Sequence, residues 1–158
     1  TSFLMADSTT PDGDYIKPQT NPTNTDCWNG KAYTPLNQLT PGRTKYGTNN
    51  NVRIFRYADV LLMNAEAKIK NGKSGDAPFN EVRRRAQMPE LTNVTFEQVI
   101  DERRMELVCE WGERYNDLVR TGLAKTELKG WSEDKALLPL PFNQYTQIPD
   151  LLKEPKDE

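Results

Sequence analysis

At 158 residues, with 21 Lys and Arg against 23 Asp and Glu and a net charge of −2, the chain has room for one cored domain. That balance implies no general attraction to nucleic acid or to anionic lipid. Histidine is absent, which removes the commonest general base, the commonest metal ligand and every Ser-His or Cys-His nucleophile arrangement.

Along the chain, residues 1–50 differ in kind from the rest. Pro11, Pro18, Pro22, Pro35 and Pro41 stand among many Thr and Asn, with almost no helical period. That composition predicts a loop-rich segment that either lies across other protein or is partly disordered. Val52–Phe55 reads as a short extended entry to a second region, 51–158. A helix is predicted from Arg56, with apolar positions 58, 61, 62, 65 and 69 inward and Gly72 as its left-handed stop. A shorter helix is predicted from about Pro78 to Gln87, with Phe79, Val82 and Ala86 inward, making an antiparallel hairpin with the first. Thr95-Phe-Glu-Gln98 has the form of a capping box. It opens one long amphipathic helix running to Gly122, with Phe96, Ile100, Leu107, Trp111, Tyr115 and Leu118 on its inner face. Leu137–Pro141 must be extended, and Asn143–Leu152 is a short turn or helix.

Cys27 and Cys109, more than eighty positions apart, supply no metal site, and no metal or other cofactor is expected. They either form one disulfide in an exported protein or remain a loop thiol and a buried helical thiol that never meet. Glu102, Glu106, Glu110 and Glu113 crowd the long helix, but Arg103 to Glu106 and Glu110 to Arg114 stand at pairing distance along it. A charge-paired surface is expected rather than an acid–base pair, and the three directions of Arg83, Arg84 and Arg85 predict no single basic patch but a solvated or salt-bridged face. Asp12-Gly-Asp14 is too short for a calcium loop. Trp28, Tyr33, Tyr46 and Trp131 sit in polar sequence, where aromatic rings either stack on sugar faces or anchor loops. Trp28, Tyr33 and Trp131 are the candidate ligand-binding residues. No apolar run of 18 residues or leader-like start is present, so the chain reads as intracellular or as a mature or truncated piece of an exported protein.

Four segments together resemble the SusD/RagB-like family. Arg56–Ala67 resembles its R-Y-A-D-V-L-L-M-Y-A-E-A motif, and Asn80–Ala86 its N-x-V-R-x-R-A helix. Glu102–Leu107 with Glu110–Gly122 is similar to E-R-R-x-E-L-x-x-E-G-x-R-x-x-D-L-x-R-x-G, Trp111 being an added residue before the Gly. Leu138–Pro141 is similar to the L-P-I-P segment, while the family's usual ending is replaced by Lys153–Glu158. The resemblance implies an all-α fold with long irregular loops, the C-terminal part of a longer tetratricopeptide-containing protein.

The resemblance further implies a lipoprotein on the cell surface, held in the outer membrane by an N-terminal lipid anchor not present in this chain. Such a protein captures oligosaccharides, or peptides in some members, for a SusC-type TonB-dependent transporter, and is not an enzyme. The motif residues then take scaffold roles: Arg56, Tyr57, Asp59, Glu66 and Arg83 with packing by Tyr57, Leu61 and Leu107, and Arg103, Arg104, Glu106, Arg114 and Asp117 as a buried or half-buried ion network. The alternatives are a helical-repeat protein-interaction module and a carboxylate-dependent glycosidase, which needs two acids facing a cleft about 5–10 Å apart.

Overall fold

The computed structural model describes residues 3–18, 26–41, 54–111, 113–137 and 142–147. Tyr46, Val52, Arg53, 138–141 and 148–152 lie outside them. The chain divides into two compact units, Thr1–Asp117 and Leu118–Glu158.

In the first unit the N-terminal segment is not wholly irregular. Phe3–Met5 (β1) pairs antiparallel with Cys27–Asn29 (β4), and Ser8–Thr9 (β2) with Tyr15–Ile16 (β3). The β2–β3 connection turns at Gly13, whose φ of 94 favours a residue without a Cβ. Strands of two or three residues are too short to print an alternating pattern.

Helix α1 spans Tyr57–Lys70, with Asp59 in its first turn and Lys68 and Lys70 in its last, each complementing the helix dipole. Gly72, at φ 68, closes it: the Lys73 amide donates to the Lys68 carbonyl and the Gly72 amide to that of Ile69, a Schellman arrangement. Helix α2 spans Asp76–Arg85 and ends the same way, with Gln87 at φ 58 in the place of glycine. Ala86 therefore lies beyond the helix and is exposed, not part of the inner stripe.

Ala58, Leu61, Leu62 and Ala65 of α1 meet Phe79 and Val82 of α2, and Val94 and Val99 complete the core. Gly75 sets how closely the helices approach. A Cβ built there would stand 2.9 Å from the Ala65 carbonyl oxygen and 2.9 Å from the Ile69 side chain. Gly75→Ala is therefore expected to destabilise the fold by about 1–3 kcal/mol through overpacking. Urea unfolding checks this, and an unchanged midpoint would refute it.

Helix α3, Phe96–Glu106, opens on the expected capping box of Thr95 and Gln98. The long helix does not continue. It stops at Glu106, and α4 begins at Glu113 and ends at Arg120. Between them Cys109 has φ 64, which no α-helix accommodates. The break turns Trp111 outward, 62% exposed, and places Cys109 in an exposed turn rather than inside a buried helix. Ile100, Leu107 and Leu118 are buried as expected, Phe96 and Tyr115 half-buried, and Val99 is a core residue the stripe omitted.

In the second unit Gly122, at φ 76, follows the end of α4 as anticipated. Ala124–Glu127 (α5) and Phe142–Gln147 (α6) are short helices, and Ala124 is buried. The chain is mostly helical, with six helices among the described residues.

Candidate functional site

The charged motif residues form a network inside the first unit. Arg103, only 4% exposed, donates from Nη1 to Asp59 at 2.6 Å and from Nε to Asp117 at 2.8 Å, with Glu113 at 3.5 Å. Burial pulls the Arg103 guanidinium down, but the hydrogen bonds to Asp117 and Asp59 more than reverse this and keep it charged. Asp59 sits on α1, so this one cation ties α1 to α3 and α4.

A second cluster closes the end of α3. Arg56 donates to Glu110 at 2.7 Å and to Glu106 at 2.9 Å, and also to the Glu106 carbonyl at 3.0 Å. Lys31, from the turn Gly30–Ala32, donates to the same carbonyl at 2.5 Å and to Glu110 at 2.7 Å. Distant cations thus satisfy the Glu106 carbonyl at the C-terminus of α3. Arg85 takes the other oxygen of Glu106 at 2.5 Å, Arg83 pairs with Glu102 at 2.6 Å and Arg84 with Glu90 at 2.8 Å. The three arginines are salt-bridged, as expected.

Several assignments change. Glu106 and Glu110 pair with long-range partners, not with Arg103 and Arg114 along one helix, because the chain breaks between them. Arg104 is exposed, outside the buried network, since it follows Arg103 around α3 to the solvent side. Tyr57 is 67% exposed and contributes no core packing. Arg114 and Glu66 are half-buried. Two further residues organise loops. Asn80 exchanges two hydrogen bonds with the Leu91 backbone, at 2.8 and 2.9 Å, and Asp76 accepts from the Asn93 and Val94 amides at 3.0 and 2.9 Å. A buried Asn inside a helical pattern is the cue that was available.

Burial raises the Glu110 carboxyl, and the Arg56 and Lys31 bonds outweigh it, holding the group below its usual range. The Val94 and Asn93 amides hold Asp76 low as well. Both contribute stability that is present above the unfolded carboxylate value, about 4, and lost as pH falls through the lower folded values. The urea midpoint is therefore expected to hold steady above about pH 5 and to fall below about pH 4. Glu110→Gln should flatten part of that fall, and a midpoint rising on acidification would contradict the sign.

Of the aromatic candidates, Trp28 lies on β4, opposite Leu4, and is 45% exposed. Tyr33 is half-buried and anchors a loop: its hydroxyl donates to Asp14 and meets Thr10 at 3.2 Å. Burial and the Asp14 carboxylate push that hydroxyl above its usual range. Trp131 is half-buried in the second unit, and its indole Nε1 has no hydrogen-bond partner among the described residues. Trp28 and Tyr33 flank one short turn of the first unit, Gly30–Ala32, and Trp131 belongs to the second unit.

Among the described residues no group of three or more His, Cys, Asp or Glu could hold a metal ion. No helix there is long and apolar enough to cross a membrane. Glu106 and Glu110 are spent on cations and do not face each other as a free acid pair.

Charges neutralised within the fold, with aromatic rings left at its surface, define a helical scaffold. The model of the SusD family matches residues 2–151, and the chain belongs to that family. It is 33% identical over 119 residues to SusD-like protein P38 of Formosa agariphila, covering 64% of this chain and 24% of that protein. It is 36% identical over 81 residues to the starch-binding protein SusD of Bacteroides thetaiotaomicron, covering 51% and 14%. Among solved structures it is similar to surface glycan-binding protein A from Bacteroides uniformis, with a TM-score of 0.71, 28% identity, and coverage of 94% of this chain and 36% of that one. The matched stretches span about a quarter or less of the two curated relatives' length.

Proposed function

We propose that this chain is part of a cell-surface, outer-membrane lipoprotein that captures oligosaccharides for uptake by a SusC-type TonB-dependent transporter, and that it performs no bond chemistry. The observation that carries the reading is family membership over residues 2–151, joined to likeness with relatives described as starch-binding and surface glycan-binding. The consumption of the helix carboxylates in ion pairs supports binding over hydrolysis. Trp28 is the best-placed candidate for stacking on a sugar ring, with Tyr33 and Trp131 behind it.

A second reading, a surface for other protein, draws on one observation. Tyr57, Val60 and Met63 of α1 are 67%, 46% and 43% exposed. In that reading these side chains, and residues 1–50, pack against further parts of a longer protein.

Isothermal titration of the full-length protein with maltoheptaose and a panel of other oligosaccharides tests the proposal, beside the same titration on this chain. Saturable binding that weakens on Trp28→Ala is expected. Binding of peptides with no glycan bound would overturn the ligand class.

A further inference from the structure

We propose that Lys31, with Asn29, is a positioning residue for ligand capture: the two clamp the turn Gly30–Ala32 onto the end of α3 and so fix the direction in which Trp28 faces. In the glycan-binding reading, on which this rests, Trp28 is the stacking ring. Two side chains, two positions apart, reach one junction. Asn29 Nδ2 donates to the Cys109 carbonyl at 3.0 Å. Lys31 Nζ donates to the Glu106 carbonyl at 2.5 Å and to Glu110 at 2.7 Å. They are also tied to each other, since Asn29 Oδ1 accepts from the Lys31 amide at 2.9 Å and caps the turn. Arg56 holds the other oxygen of Glu110, so the lysine meets a carboxylate already fixed in place.

Alternation along the strand decides what the clamp does to Trp28. Successive side chains of β4 leave on opposite faces. With Asn29 directed at the α3–α4 turn, Trp28 leaves on the other face, where it is 45% exposed and opposite Leu4. Beyond the turn, Tyr33 is held by Asp14 and Thr10. The segment from Trp28 to Tyr33 is thus pinned at both ends, with Trp28 turned outward.

The apolar core takes no part in this hold. Its buried residues run from Ala58 to Val99, and none comes from 3–41. Polar side chains therefore fasten the segment to the helices, and Lys31 supplies a charge-assisted pair, stronger than a neutral hydrogen bond. A ring held in one direction before the sugar arrives loses less conformational freedom on binding. Lys31 and Asn29 act through Trp28 and need not touch the sugar.

The test compares full-length protein carrying Lys31→Met with wild type, by hydrogen exchange and mass spectrometry without ligand and by calorimetric titration with maltoheptaose. Methionine keeps an unbranched side chain and removes the charge and the donors. Amides of residues 27–33 should exchange about tenfold faster in the variant, while those of α1 and α2 stay as in wild type. Affinity for maltoheptaose should fall roughly 3–10-fold. Gly75→Ala is the control: it weakens the helical core, and should leave both the 27–33 exchange and the affinity unchanged, which separates positioning from a general loss of stability. Unchanged exchange at 27–33 in Lys31→Met would overturn the clamp. Affinity that falls on Trp28→Ala but not on Lys31→Met would overturn the positioning role. Wild-type protein that binds no maltoheptaose would count against the glycan reading, and the 27–33 exchange would still decide the clamp.

Discussion

Replacing Arg103 with methionine is expected to destabilise the chain by about 3–5 kcal/mol, the usual consequence of leaving a buried ion without its partner. The groups that lose the guanidinium are Asp59 and Asp117, whose side chains are 8% and 3% exposed. Lysine is no substitute, because one ammonium lacks the planar fork that serves two carboxylates in different directions. Urea unfolding of Arg103→Met provides the measurement. A loss below about 1 kcal/mol, the level of an exposed ion pair, would show that the network is not shielded as the geometry indicates. Adding Asp59→Leu and Asp117→Leu should recover part of the loss, since an apolar replacement of a whole buried ion cluster is often neutral.

Phe79→Ala is the second large effect, about 3–5 kcal/mol from lost transfer energy and the cavity left behind. Phe79 is 1% exposed and stands between α1 and the loop that carries Val94. Its ring also lies 5.7 Å from the Arg83 guanidinium, which a smaller side chain would leave without that contact. Phe79→Leu should cost distinctly less, because it leaves a smaller void. Thermal unfolding followed by circular dichroism distinguishes the two. Equal melting points for the Ala and Leu variants would mean that the site collapses, and that the core around α1 and α2 is looser than its burial indicates.

The helical hairpin was legible because its information is local. The stripe Ala58, Leu61, Leu62, Ala65, the stop at Gly72 and the box at Thr95 each reside within a few positions of the element they define. The break after Glu106 was not legible, because the amphipathic period runs through it to Leu118 and the deviant residue is a cysteine rather than a glycine. The same error carried Trp111 inward and assigned Glu106 and Glu110 the wrong partners. Their real partners, Arg56, Arg85 and Lys31, are brought to them by tertiary packing and leave no spacing in the chain. Of the candidate site, the polar flanks of Trp28 fit a stacking ring and a loop anchor equally, and only the fold shows it to be 45% exposed. The tie of Tyr33 to Asp14 depended on a hairpin too short to announce itself.

The capping of α3 by Lys31 has a consequence for the order of folding. Packing among α1, α2 and α3 joins segments close in sequence, and such contacts close quickly. The Lys31 bonds to Glu106 and Glu110 span more than seventy residues, and loop-closure entropy delays contacts of that separation. The helical core is therefore expected to assemble before the Lys31 contacts form, and Lys31→Met should speed unfolding while leaving the folding rate unchanged; slower folding would contradict that order.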